Sequence, residues 1–126
     1  MLNRYIKIGS IAAALAVGLG AFGAHVMKDM LTPDRLATYE TAVQYHIFHA
    51  LALLIIALLS ERLPESNRTK VLWSARFITL GIVIFSGSLY VLCFTGIKVL
   101  GAITPIGGIA FIAGWLMLAL AARRSS

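Results

Sequence analysis

Four long apolar stretches decide what this chain can become. They run over about residues 5–27, 39–59, 71–94 and 99–122. Each is ~20 residues or more, enough as a helix to cross a hydrocarbon core ~30 Å thick. Isolated spans of this kind must be helical, because lipid offers no partner for backbone N–H and C=O groups. The expected fold is an all-α membrane protein, a four-helix transmembrane bundle filling residues 1–126 as one domain. Composition agrees. Apolar residues make up 60% of the chain and charged residues 13%, against roughly 45–50% and 25% in soluble domains. So few charges cannot coat a water-soluble surface.

The connections are short. MKDMLTPDR joins the first two spans, and its Thr32-Pro33 reads as a helix cap followed by proline at the first helical position. SERLPESNRTK joins the second and third, and Thr95-Gly96-Ile97-Lys98 predicts a tight turn before the fourth. Net charge is +6, but no basic face interleaved with aromatics exists for nucleic acid. The cations flank the apolar runs and read as bilayer anchors and topology signals. Arg4, Lys7, Arg62, Arg68, Lys70, Arg123 and Arg124 fall on one side of the membrane, and Lys28, Arg35 and Lys98 on the other. That excess places both termini in the cytoplasm. Arg76, one turn inside the third span, is expected to snorkel beside Trp73. The first span also has the form of a signal peptide. Its long apolar run, and the three-helix remainder that cleavage would leave, favour a retained helix. The lone Cys93 in YVLCFTG reads as a small packing residue.

Gly18-x-Gly20-x-x-Gly23 has dinucleotide-binding spacing, with Glu40 near the ribose-binding position. That fingerprint needs a strand before it and a βαβ helix after it. Here IGSIAAALAV precedes it, too long and alanine-rich for one strand. On the other side, HVMKDMLTPDR is too short and polar for such a helix, and Pro33 would end it. The small residues make better sense on a helix. Ala12, Ala16, Gly20 and Ala24 fall four apart, as do Ala110 and Gly114. Such small-xxx-small faces let helices approach closely in lipid. Thr104-Pro105 predicts a kink or broken turn in the fourth span.

From Ile47 to Leu59 the second span is only ~20 Å of helix. It must reach back through His46, Tyr45 and Gln44 towards Glu40 to cross. Polar groups inside a membrane should face protein or a water-filled cavity. His25, Glu40, Tyr45, His49, Ser86, Ser88, Tyr90 and Thr104 all fall towards the outer half and form a candidate polar cluster, expected to be open or nearly open to the outer face. His25 and His49 sit on different helices and have the chemistry to ligate a metal or haem. Glu40 with Lys28 or Arg35 reads as a surface ion pair. The plainer role for these groups is mutual hydrogen bonding that fixes helix packing. No phosphate loop, HExxH motif or serine elbow occurs.

GAFGAH (20–25), ETAVQYHIFHALAL (40–53), FSGSLY (85–90), TPIGG (104–108) and AGW (113–115) together resemble the YgdD-like family, domain of unknown function 423. The likeness covers nearly the whole chain. It implies a small four-helix protein of the bacterial inner membrane, and supplies no catalytic residue, substrate or cofactor. His25, Glu40, Tyr45 and His49 fall at positions of its pattern, whereas His46 does not.

Three roles remain open from sequence. The first is a non-enzymatic accessory or packing subunit of a membrane assembly or homo-oligomer, with lipid as its main partner and no cofactor. The second is a transporter or channel subunit using the outer polar cluster. The third is a haem- or quinone-binding protein.

Overall fold

The computed structural model describes residues 3–122. Four helices succeed one another along the chain: α1 (Asn3–Met30), α2 (Pro33–Leu59), α3 (Glu65–Thr95) and α4 (Leu100–Ala121). Each is long and apolar enough to cross a membrane, and the protein is a four-helix integral membrane protein. The first three helices start before their apolar runs do. α2 begins at the cap, where the Thr32 hydroxyl accepts a hydrogen bond from the Arg35 N–H and Pro33 takes the first position. α3 begins with a 3₁₀ turn at Glu65–Asn67. Arg123 and Arg124, which contribute to the topology argument, lie outside the described residues.

Gly96 closes α3 in the left-handed conformation, φ 71°. The turn needs glycine twice over, because the Arg35 guanidinium packs where a Cβ would stand. Cys93, one turn earlier, is buried, and its thiol donates to the Arg35 carbonyl at 3.2 Å. Near the start of α3 the Arg76 guanidinium lies over the Trp73 ring at 4.9 Å, as snorkelling requires.

Packing follows chain order. α1 leans almost wholly on α2, α3 is clasped to α4, and α2 joins the two pairs through α3. The larger core sits between α2, α3 and α4, built on Leu53, Ile56, Val71, Ile78 and Phe111, with Tyr5 of α1 at its edge. A smaller one gathers Met27, Tyr39 and Cys93.

Glycines set the close approaches. On α4, Gly107 meets the backbone of Phe85, and Gly114 meets Ile78 and the Ser74 carbonyl. Gly81 of α3 lies under the Phe111 ring. Ala110 and Gly114 are both buried, as a packing face demands. On α1 the expected ridge is redrawn. Ala16 is buried, Ala12 and Gly20 are half-buried, and Ala24 is exposed. Gly9 and Gly23 are the residues pressed on α2, against Leu53 and Tyr39 respectively. The reason is helical period. Each four-residue step overshoots a turn by about 40°, so three steps carry Ala24 about 120° away from Ala12. Gly9, Ala16 and Gly23, seven apart, drift only ~20° per step and stay on the seam.

α4 passes through Pro105 without a break. The irregular turns lie elsewhere, as π-helical segments at Gly23–Met27 in α1 and Ile82–Ser86 in α3.

Candidate functional site

The polar groups within the bundle resolve into separate contacts. At mid-height of α2, which spans Pro33–Leu59, sits buried His46. Its Nδ1 lies 2.9 Å from the Tyr90 hydroxyl of α3. The same ring faces the Ala12 carbonyl of α1. Which of His46 and Tyr90 donates follows the tautomer of the imidazole. His46 thus bridges two helices that hardly touch each other.

One turn on, His49 is buried and stacked on Phe111 with ring centroids 3.6 Å apart. Its Nε2 accepts from the Trp115 indole N–H at 3.1 Å, and its Nδ1 lies 2.8 Å from the Tyr45 carbonyl. An indole can only donate and a carbonyl can only accept. The imidazole is therefore neutral, with its proton on Nδ1. Tyr45, Phe85, Phe111 and Trp115 line a notch of about 360 Å³ beside it.

The hydroxyls make short bonds between helices. Ser86 of α3 donates to the Ala42 carbonyl of α2 at 2.9 Å. Ser88 of α3 meets Thr104 of α4 at 2.6 Å. The Tyr39 hydroxyl of α2 donates to the Leu19 carbonyl of α1. Tyr39 itself is packed edge-on against the Tyr90 ring.

His25 and Glu40 do not join these contacts. Both are exposed. His25 falls in the π segment of α1, and His49 faces the opposite pair of helices with both nitrogens engaged. A shared metal or haem between them has no geometric basis. Among the described residues no group of three His, Cys, Asp or Glu side chains converges. Nor, among those residues, does Glu40 form an ion pair with Lys28 or Arg35. It borders a notch of about 340 Å³ with Gly20, Gly23 and Gln44. The expected single outer cluster is instead a set of pairs, because each hydroxyl or ring finds the nearest facing helix.

Two polar residues in the opposite half of the bundle carry no sequence signal, yet bond in the same way. Ser74 donates to the Gly114 carbonyl at 2.7 Å, and Asn67 to the Ala121 carbonyl at 2.8 Å. A small-residue helix alongside, which exposes its carbonyls, is the hint that the sequence offers.

Residues 19–108 match the family described as protein of unknown function DUF423. Similar chains run nearly end to end. The UPF0382 membrane protein YwdK of Bacillus subtilis (strain 168) is 48% identical over 96% of this chain and 97% of its own length. UPF0382 membrane protein SAB0533 of Staphylococcus aureus (strain bovine RF122 / ET3-1) is 47% identical over 95% of both chains. UPF0382 membrane protein SH2409 of Staphylococcus haemolyticus (strain JCSC1435) is 44% identical over 93% of both. No solved structure matches the chain.

Proposed function

Given that the chain belongs to the DUF423 family, whose description assigns no activity, we propose from its geometry a non-enzymatic subunit of the bacterial inner membrane. It works by packing sideways in the bilayer against partner proteins or further copies of itself. One observation carries this: the fate of the intramembrane polar groups. Tyr39, His49, Ser74, Ser86, Ser88 and Cys93 each bond to a carbonyl or side chain of another helix or of their own. Groups used this way hold helices together and are not left over for acid–base work or for ion passage. What the bundle presents outwards is apolar. Ile11, Val17, Ile109, Ile112 and Leu116 are each about 60% exposed or more.

The excess of Lys and Arg at the start of α1 and in the α2–α3 connection supports cytoplasmic termini. An even number of crossings puts both ends on one side.

The test is photo-crosslinking in native membranes, with a benzophenone amino acid at Val17, Ile109 or Ile112 in turn. The expected result is a discrete protein adduct from at least one face. Adducts to lipid alone from every position, together with solute flux by the purified protein in liposomes, would refute the reading.

A further inference from the structure

Glu40 and Gln44 lie one turn apart on α2 and border the same notch, of about 340 Å³, between α1 and α2. Other polar groups on that helix are engaged. Thr41 donates to the Ala37 carbonyl, His46 meets Tyr90, and His49 accepts from Trp115. Glu40 and Gln44 differ. Both are exposed, and among the described residues neither makes a hydrogen bond or an ion pair. Two unsatisfied polar side chains thus border one cavity, at the edge of an apolar span where such groups are costly. The cations expected to neutralise Glu40 do not do so. Arg35 packs over Gly96 at the end of α3, and Lys28 forms no ion pair among the described residues.

The facing wall belongs to α1. Gly20, Gly23 and Ala24 form it, with no side chain larger than a methyl, so a ligand can approach closely. α1 turns π-helical from Gly23, an irregularity that recurs at functional sites. Tyr39 also lines the notch, its ring held by the bond to the Leu19 carbonyl. The chemistry of the α2 wall is that of a cation receptor. Residues four apart on a helix bring their Cβ atoms within ~6 Å, so the Glu40 carboxylate and the Gln44 amide reach one ligand atom. They offer it two carboxylate oxygens and one amide oxygen, all acceptors. A primary ammonium has three donors and no acceptor, the matching set. A trimethylated ammonium has no N–H to give. A divalent calcium or magnesium ion takes roughly six or more oxygen ligands. Among the described residues no group of three His, Cys, Asp or Glu side chains exists to start such a shell.

We propose that this notch binds a primary ammonium group, held by the Glu40 carboxylate and the Gln44 amide oxygen. The site goes beyond lateral packing, and its failure would leave that reading intact. An ethanolamine lipid headgroup and a free amine in solution carry the same ammonium chemistry. Both reach the membrane edge where Glu40 sits, about 10 Å along α2 from Pro33.

Charge and shape supply separate variants. Glu40→Gln keeps the size of the side chain and removes its charge. Ala24→Phe fills the notch from an exposed position. The full chain in maltoside micelles is titrated with phosphatidylethanolamine in one arm and ethanolamine in the other. Each is run against its trimethylated counterpart, phosphatidylcholine or choline. Native mass spectrometry reads bound lipid, and saturation-transfer NMR reads the soluble amine. The expected result is a preference of about tenfold for the primary amine in at least one arm, and that arm identifies the source. Glu40→Gln should lose about tenfold or more in affinity, the worth of a charged hydrogen bond, and Gln44→Leu roughly three- to tenfold. Ala24→Phe should abolish binding. No preference over the trimethylated probe in either arm overturns the proposal. So does binding that Glu40→Gln or Ala24→Phe leaves unchanged. Thermal unfolding of each variant, expected within a few degrees of the parent, separates an emptied site from a damaged bundle.

Discussion

The two helix pairs use the same glycine chemistry to different ends. In the α3–α4 pair two glycines meet backbone, Gly107 that of Phe85 and Gly114 the Ser74 carbonyl, while Gly81 meets the Phe111 ring. Ser74 and Ser88 add hydrogen bonds across the same seam. In the α1–α2 pair Gly20 meets the end of Val43 and Gly23 the Tyr39 ring, while Gly9 alone faces a backbone atom. The far flank of α1 faces an open groove, with Ile11 and Leu15 on one wall, Ile82 and Val83 on the other and His46 between them. Close backbone contact on one side yields a clamp. Side-chain contact on one face only yields a helix held from behind. In lipid, where no hydrophobic force draws helices together, that difference in contact decides which pair is the fixed frame.

Substitutions sharpen this contrast. Gly107→Ala has the largest expected effect. Its methyl meets backbone, which cannot step aside, so overpacking should cost about 3 kcal/mol in thermal or mixed-micelle unfolding. Gly23→Ala meets a side-chain ring, although one tied to the Leu19 carbonyl, and should cost about 1–2 kcal/mol. An equal or greater loss there than at Gly107 would break the distinction between the pairs. Ser74→Ala removes one interhelical bond, and the expected loss is about 0.6 kcal/mol. Gly18→Ala is the mildest change. A Cβ at Gly18 meets nothing within 4 Å, so helix propensity favours it by about 0.5–1 kcal/mol. A marked loss at Gly18 would mean that this face is covered in the membrane.

Some of this was legible in the sequence. Span number and helical character come from apolar length alone, and the Thr32-Pro33 start and Gly96 stop from local chemistry. The small-residue face of α1 was legible as a face, but not in its register. A strict four-residue count rotates off the seam, and Gly9, between Lys7 and Ser10, does not look apolar. The two π segments were hidden because no residue type requires them. The polar cluster was legible as a set of residues and not as an arrangement. Helix periodicity says which side of its own helix a group takes, but which carbonyl faces it depends on the neighbour. Ser74 and Asn67 show the same limit from the opposite direction.

The central claim is that hydroxyls and imidazoles within the bundle act as dry joints between helices. Cysteine accessibility tests it most directly. Ser86→Cys and Thr104→Cys, each in a Cys93→Ala background, are exposed to a membrane-impermeant maleimide from both sides of sealed vesicles, with Glu40→Cys as the reactive control. The account predicts fast labelling at position 40 and none at 86 or 104 until the bundle is unfolded. Rapid labelling at 86 or 104 in the folded protein would reveal an aqueous cavity and contradict it.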